Sequence, residues 1–190
     1  MHLKNVTGQK KPVVALNGTD SYIQMTTDIP SCITDIDLCT TGFTFAIDVL
    51  FNSLVDNTFI LSSGAQLPDH KGVALYYVQN TLKYVVSSTT FTWTLDVEYK
   101  PVLNQWQHFE ITWNQHLGID LLLNGVSLGS NGQPAPSINT LITFVCVGCS
   151  HGTNTVAINF MVTGIMTWAI DRIELVNAGI KERKEAFCYS

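Results

Sequence analysis

The chain has 190 residues, which suits one domain of sandwich or barrel size. Apolar residues make up 46% and charged residues only 13%, about half the ~25% usual in soluble domains, so the polar surface must come largely from neutral groups, threonine foremost. The net charge of −5 argues against a general nucleic-acid binder, because nothing here would neutralise a row of phosphates.

The chain opens on MHLKNVTGQKK, which lacks the apolar core of a secretory signal; an extracellular protein would carry its signal outside this sequence. Two glycosylation sequons follow, Asn5-Val6-Thr7 and Asn17-Gly18-Thr19, and make Asn5 and Asn17 candidate glycan acceptors. Such tripeptides also arise by chance. Five cysteines occur, Cys32, Cys39, Cys146, Cys149 and Cys188, and the odd count leaves at least one unpaired or paired outside the chain. The sequons beside the C-x6-C of Cys32 and Cys39 favour an extracellular, cell-surface setting over a cytosolic protein with five ordinary thiols.

Short β-rich stretches separated by Gly, Asn, Asp, Pro or Ser clusters predict strands along the whole chain. They fall at Val13–Leu16, Tyr22–Met25, Phe43–Phe51, Thr58–Ser62, Val73–Tyr77, Thr81–Val86 and Phe91–Leu95. The series continues at Trp106–Trp113, Ile119–Leu123, Ile142–Val147, Val156–Val162 and Ile165–Leu175. In one strand Leu82, Tyr84 and Val86 share a face opposite Thr81, Lys83 and Val85; in another Phe109, Ile111 and Trp113 lie opposite His108, Glu110 and Thr112. The second of these leads through NQHLG to IDLLLNG, whose Asn124-Gly125 accepts the positive φ of a type I′ hairpin turn. The two Trp residues here, and Trp168, are read as packing groups.

Residues 156–170, VAINFMVTGIMTWAI, are interrupted by Asn159, Thr163, Gly164 and Thr167 and are shorter than the ~20 residues of a membrane span, so no membrane insertion is expected. KERKEAF at 181–187 suits a turn or two of C-terminal helix. No linker or repeat divides the chain. The expected fold is all-β: one domain over 1–190, a two-sheet antiparallel jelly-roll sandwich with at most one short C-terminal helix.

Catalytic groups do not assemble in the sequence. Retaining glycosidases need paired carboxyl groups, and the nearest match, Asp35 and Asp37 in TDID, reads as a solvated loop with calcium ligation second. CVGC at Cys146 to Cys149, followed by His151, lacks the second pair of a structural zinc site and the helix N-terminus of a redox site, so Cys146 reads as a small buried thiol. His108 reads as a structural histidine, and no G-x-S-x-G elbow or phosphate loop is present. From Leu121 to Ile170 there is no Asp, Glu, Lys or Arg. Strands without charge lack the usual defence against edge pairing, so they are buried on both sides or covered by a partner or a second copy of the chain.

W-x-H-F-x-I-T-W-x5-I-x-L-L-L-N-G, over Trp106 to Gly125, resembles the paired strands of laminin G-like and pentraxin-like domains. ALNGTDSYIQM (Ala15 to Met25), C-x6-C-x2-G-F-T-F (Cys32 to Phe45) and MTWAIDRIELV (Met166 to Val176) are similar to other segments of those domains, in the same order. The resemblance implies a concanavalin A-like jelly roll, as in the ectodomains of adhesion-type receptors and related animal extracellular proteins. It also implies a Cys32–Cys39 disulfide closing a short loop. The uncharged stretch after Asn124-Gly125 departs from the acidic calcium cluster of pentraxins. No cofactor is therefore expected, and a single Ca²⁺ held by Asp69 with main-chain carbonyls is the one candidate. The function implied is a non-catalytic extracellular recognition or adhesion module. It would bind a protein or glycan at the cell surface through rim loops or an uncharged sheet face. The alternatives are a lectin or carbohydrate-active enzyme of the same fold, and a structural spacer.

Overall fold

The computed structural model describes residues 3–4, 13–17, 22–25, 32–143, 145–148 and 159–168. These form two seven-stranded sheets. The first runs β1 (Leu3–Lys4), β2 (Val13–Asn17), β14 (Asn159–Trp168), β4 (Phe43–Phe51), β9 (Trp106–Asn114), β10 (Gly118–Leu123) and β11 (Val126–Asn131). The second runs β12 (Ala135–Pro136), β8 (Phe91–Glu98), β7 (Thr81–Ser87), β6 (Gly72–Val78), β5 (Thr58–Ser62), β13 (Val145–Val147) and β3 (Ile23–Met25). All pairings between these strands are antiparallel. The sandwich expected from the sequence is the one observed. Among the described residues no helix is long and apolar enough to cross a membrane.

Alternation along the strands builds the core. Phe43, Phe45, Ile47, Val49 and Phe51 of β4 and Phe109, Ile111 and Trp113 of β9 point inward from the first sheet. Leu82, Tyr84, Val86 and Trp93 meet them from the second. Trp93 and Trp113 touch edge to face with centroids 5.4 Å apart, and the Tyr84 hydroxyl donates 2.9 Å to the Thr112 carbonyl across the layers. Each sheet thus helps to hold the other. Trp106 departs from its expected role: it pairs with Leu50 on the outward side and is half-buried, whereas Trp113 lies in the core. The register also pairs Trp168 with Thr44.

The β10–β11 hairpin turns through Asn124 (φ 52°) and Gly125 (φ 79°), the conformation that the dipeptide allows. At the other end of β10, a Cβ on Gly118 would stand 2.1 Å from the Asn131 carbonyl oxygen, so only glycine fits there. The two strands expected over 156–162 and 165–175 are, within the described residues, a single β14 whose register slips between Thr163 and Met166. Gly164 lies in that slip, as glycines in strands often do. Three strands were not anticipated: β1, β11 and β12.

The uncharged stretch does not make one sheet face. β13 lies between β5 and β3, and β14 between β2 and β4, so both have paired neighbours on either side. Of the strands in the stretch, β11 and β12 lie at sheet edges, opposite β1 and β3, and β11 carries Ser127, Ser130 and Asn131 in place of charges.

Cys32 and Cys39 form a disulfide with Cα atoms 5.1 Å apart. Cys146 is buried, as expected, but it is disulfide-bonded rather than a thiol. Asn5, the helix expected at 181–187, Cys149, His151 and Cys188 lie outside the described residues. Asn17 ends β2 opposite Asn159, and the rest of its sequon also lies outside them.

Candidate functional site

Among the described residues three places gather polar groups: one rim and the outward sides of the two sheets. At the rim, the disulfide loop carries a short 3-10 turn, Ile36–Leu38, that drives Ile36 into the core. Asp35 caps this turn by accepting from the Asp37 amide. The Lys71 ammonium stands 2.7 Å from Asp35 and 3.3 Å from Asp37. Burial pushes the Lys71 pKa down, but hydrogen bonds and charge from the two aspartates outweigh it and hold the group above its ordinary value. Asp37 also accepts from the backbone amide and the hydroxyl of Thr89. The carboxylates read from the sequence as solvated are therefore ion-paired to Lys71. Asp69 is exposed, and its carbonyl accepts from the amides of Thr140 and Leu141. Among the described residues no group of three or more His, Cys, Asp or Glu is placed to hold a metal.

On the outward side of the first sheet, β4 and β9 bring Asp48 beside His108. Nδ1 of His108 lies 2.5 Å from Asp48, and Nε2 lies 3.5 Å from Glu110. Hydrogen bonds to Asp48 and then Glu110 outweigh burial and raise the His108 pKa to about 9. The imidazole is thus a fixed cation at neutral pH, held to the sheet as the sequence suggests. His70 bonds the Pro68 carbonyl at 2.8 Å in its loop.

The outward side of the second sheet carries a different row. Cross-strand register aligns Phe59 of β5, Tyr76 of β6, Lys83 of β7 and Asp96 of β8. The Phe59 and Tyr76 rings stack at 4.8 Å with an interplanar angle of 15°. Lys83 reaches Asp96 at 2.6 Å. Burial, with a smaller opposing effect of Lys83, raises the Tyr76 pKa, so its hydroxyl keeps its proton and can both donate and accept. The neighbouring row, Ser62, Ala74, Val85 and Thr94, is small-chained. Ala65, on the loop after β5, packs against Ala74, Val85 and Tyr76 and walls one end of it. Ser62 donates 2.8 Å to Gln66 on the same loop.

Phe59 is itself buried, so what this line presents to solvent is the half-buried Tyr76 ring, backed by Phe59, beside an ammonium–carboxylate pair. Hydroxyl-rich rings with apolar C–H faces suit such a surface. The sequence reading missed Phe59 and Tyr76, because each sits in an apolar run and only the register puts them side by side. It also passed over Asp96-Val97-Glu98, whose two carboxylates alternate onto the same outward side of β8, where both residues are exposed.

No family model matches the sequence, and no curated protein matches it. Solved structures do. A heptameric SAP-like pentraxin of Limulus polyphemus is 12% identical with a TM-score of 0.56, over 85% of this chain and 77% of that one. The CBM40 of the Ruminococcus gnavus IT-sialidase, bound to α2,3-sialyllactose, is 16% identical with a TM-score of 0.60, over 87% and 95%. A Trypanosoma rangeli sialidase is 13% identical with a TM-score of 0.58; the match covers 89% of this chain but only 26% of that enzyme. At such identities the likeness is one of fold, and the fold is the concanavalin A-like jelly roll.

Proposed function

We propose that this chain is a non-catalytic glycan-binding module that works outside the cell and takes its ligand on the outward side of the second sheet. The observation that carries this reading is the Phe59–Tyr76–Lys83–Asp96 row, where, among the described residues, stacked aromatic rings stand in line with hydrogen-bonding charges. The carbohydrate-binding neighbour and the pentraxin of the same fold support it. The Cys32–Cys39 disulfide supports an oxidising compartment. In that setting Asn5 and Asn17 are glycosylated, and the module is of the laminin G-like and pentraxin-like kind found in receptor ectodomains. A protein ligand, or assembly of several copies, is compatible with the same face.

A second reading, a carbohydrate-active enzyme, draws on Asp96 and Glu98 sharing a side of β8 and on the sialidase of the same fold. One experiment separates the two. The chain is screened on a glycan array, and hits are titrated by calorimetry with the wild type, Tyr76→Ala and Lys83→Ala. The proposal expects saturable binding without turnover, weakened about tenfold or more in each variant, in the range of ~1–3 kcal/mol per anchoring contact. Hydrolysis of the bound glycan would favour the enzyme. Silence across the array, or binding that ignores both substitutions, would contradict the proposed site.

A further inference from the structure

The outward side of the second sheet is not evenly open. Two cross-strand rows lie side by side on it, Ser62–Ala74–Val85–Thr94 and Phe59–Tyr76–Lys83–Asp96. Exposure rises along both from β5 to β8. Ser62 and Ala74 are 0% exposed and Val85 7%, yet Thr94 is exposed. Phe59 is buried, Tyr76 and Lys83 are half-buried, and Asp96 is exposed. The cover over the first row is the loop between β5 and β6, whose Ala65 packs on Ala74, Val85 and Tyr76. That loop is braced. The Leu67 amide donates to the Gly64 carbonyl at 2.8 Å, Ser62 donates to Gln66 at 2.8 Å, and the Asp69 carbonyl accepts from the Thr140 and Leu141 amides at 2.9 Å. Gly64 turns with φ 106°, and a Cβ there would stand 2.8 Å from the Thr143 hydroxyl, so the turn is fixed as well as tight.

A second wall stands at the rim. The next row after Val85–Thr94 is Ser87–Thr92, whose hydroxyls meet at 2.9 Å. The Asn139 side chain donates to the Thr92 hydroxyl at 3.4 Å and to the Ser88 carbonyl at 2.9 Å, and Ser87 is 2% exposed. Between the walls, β7 and β8 leave a corner. Thr94 is its floor, Val85 under Ala65 closes the β6 side, and Asn139 closes the rim side. It opens toward Lys83, Asp96 and Glu98, and over β8 away from β6. Neighbouring strands stand ~4.8 Å apart and same-face residues ~7 Å apart, so the floor takes one hexose ring rather than a row of them. A ring in the middle of a straight chain needs space on two opposite sides. The open sides of this corner meet at a right angle.

We propose that the corner holds its ligand by the end: the terminal sugar ring of a glycan seats on Thr94 against Ala65 and Asn139, its hydroxyls meet Lys83 and Asp96, and the rest of the glycan leaves past Glu98. The inference rests on the glycan reading and adds to it which part of the glycan is recognised. Ala65 and Asn139 then set specificity by blocking any residue that continues beyond the seated ring.

A glycan array that carries the same sugars at chain ends and inside chains tests it on the full chain. The hits should share a terminal residue whatever lies behind it. Calorimetry then compares three probes: a hit, the methyl glycoside of its terminal sugar, and the hit extended by one sugar at that end. The methyl glycoside should bind within about tenfold of the hit, and the extended glycan about tenfold or more weaker. Hits that share only an internal motif, or an extended glycan that binds as well as its parent, would overturn the corner and leave the glycan reading standing. Silence across the array would remove both. Thr94→Trp, at an exposed position, fills the corner and should weaken the hit by about tenfold or more at an unchanged melting temperature. Undiminished binding in that variant would also overturn the proposal, and the extended glycan decides the matter if the variant does not fold.

Discussion

The outward sides of the two sheets are cut from the same pattern of alternating residues but differ in what they hold. On the first, His108 is fixed between Asp48 and Glu110, and its outward neighbours Thr44, Ala46 and Leu122 are shielded from solvent. On the second, Phe59, Ser62, Ala74 and Val85 are buried too, but Tyr76 is half-buried and Lys83 and Asp96 keep side-chain exposures of 31% and 48%. Charge on the first face is spent in holding strands β4 and β9 together. On the second it lies near solvent, next to an aromatic edge. The difference teaches that an ion pair alone does not mark a site: His108 and Asp48 keep 18% and 28% of their side chains exposed, and the more open Lys83–Asp96 pair is the one the proposal uses.

The largest effect should come from what the faces share. Trp93→Ala removes a ring that touches Trp113 from the opposite layer and should cost about 3–5 kcal/mol in urea unfolding. Both sheets should melt together; a surviving sheet signal would break the picture of one core serving two faces. Next is the rim loop that links the layers. Cys32→Ser combined with Cys39→Ser should lose about 2–3 kcal/mol by the chain-entropy argument, measured by thermal unfolding. A neutral result would mean that Ile36 and the Lys71 ion pairs hold that loop unaided.

The first face should respond to pH. His108 has its pKa raised to about 9 in the folded chain, against ~6.5 when unfolded. Its stabilisation is therefore fully present below about pH 6.5 and lost as pH rises through about 9, on the order of 1–2 kcal/mol after allowing for partial exposure. Asp48→Asn should flatten that profile and return the imidazole toward its ordinary titration, visible by proton NMR. An unchanged titration would remove the pair from the account. The second face should give the smallest stability change. Lys83→Ala breaks a surface pair and should cost under about 1 kcal/mol, while ligand binding falls. A large loss of stability would assign Lys83 to structure and erase the contrast between the faces.

Much of this architecture was legible in the chain. Leu82, Tyr84 and Val86, and Phe109, Ile111 and Trp113, alternate cleanly because one face of each strand is core. Asn124-Gly125 announced its hairpin because few dipeptides accept positive φ twice. β11 was not legible: an exposed edge strand such as VSLGSN has no buried side to print a pattern. The rim cluster was missed because Lys71 is far along the chain from Asp35 and Asp37, and a charge shows nothing of its partner until the fold brings them together. The candidate site was hidden for a related reason. Phe59, Tyr76, Lys83 and Asp96 lie on four strands, and their alignment depends on a register that includes a slip in β5 between Phe59 and Leu61.

The central claim is that the second sheet presents the ligand face. Amide and side-chain NMR shifts, followed while an array-selected glycan or α2,3-sialyllactose is added, test it most directly. The account predicts saturating changes at Tyr76, Lys83, Thr94 and Asp96, with His108 and Asp48 still. Changes centred on His108, or no changes at any glycan concentration, would contradict it.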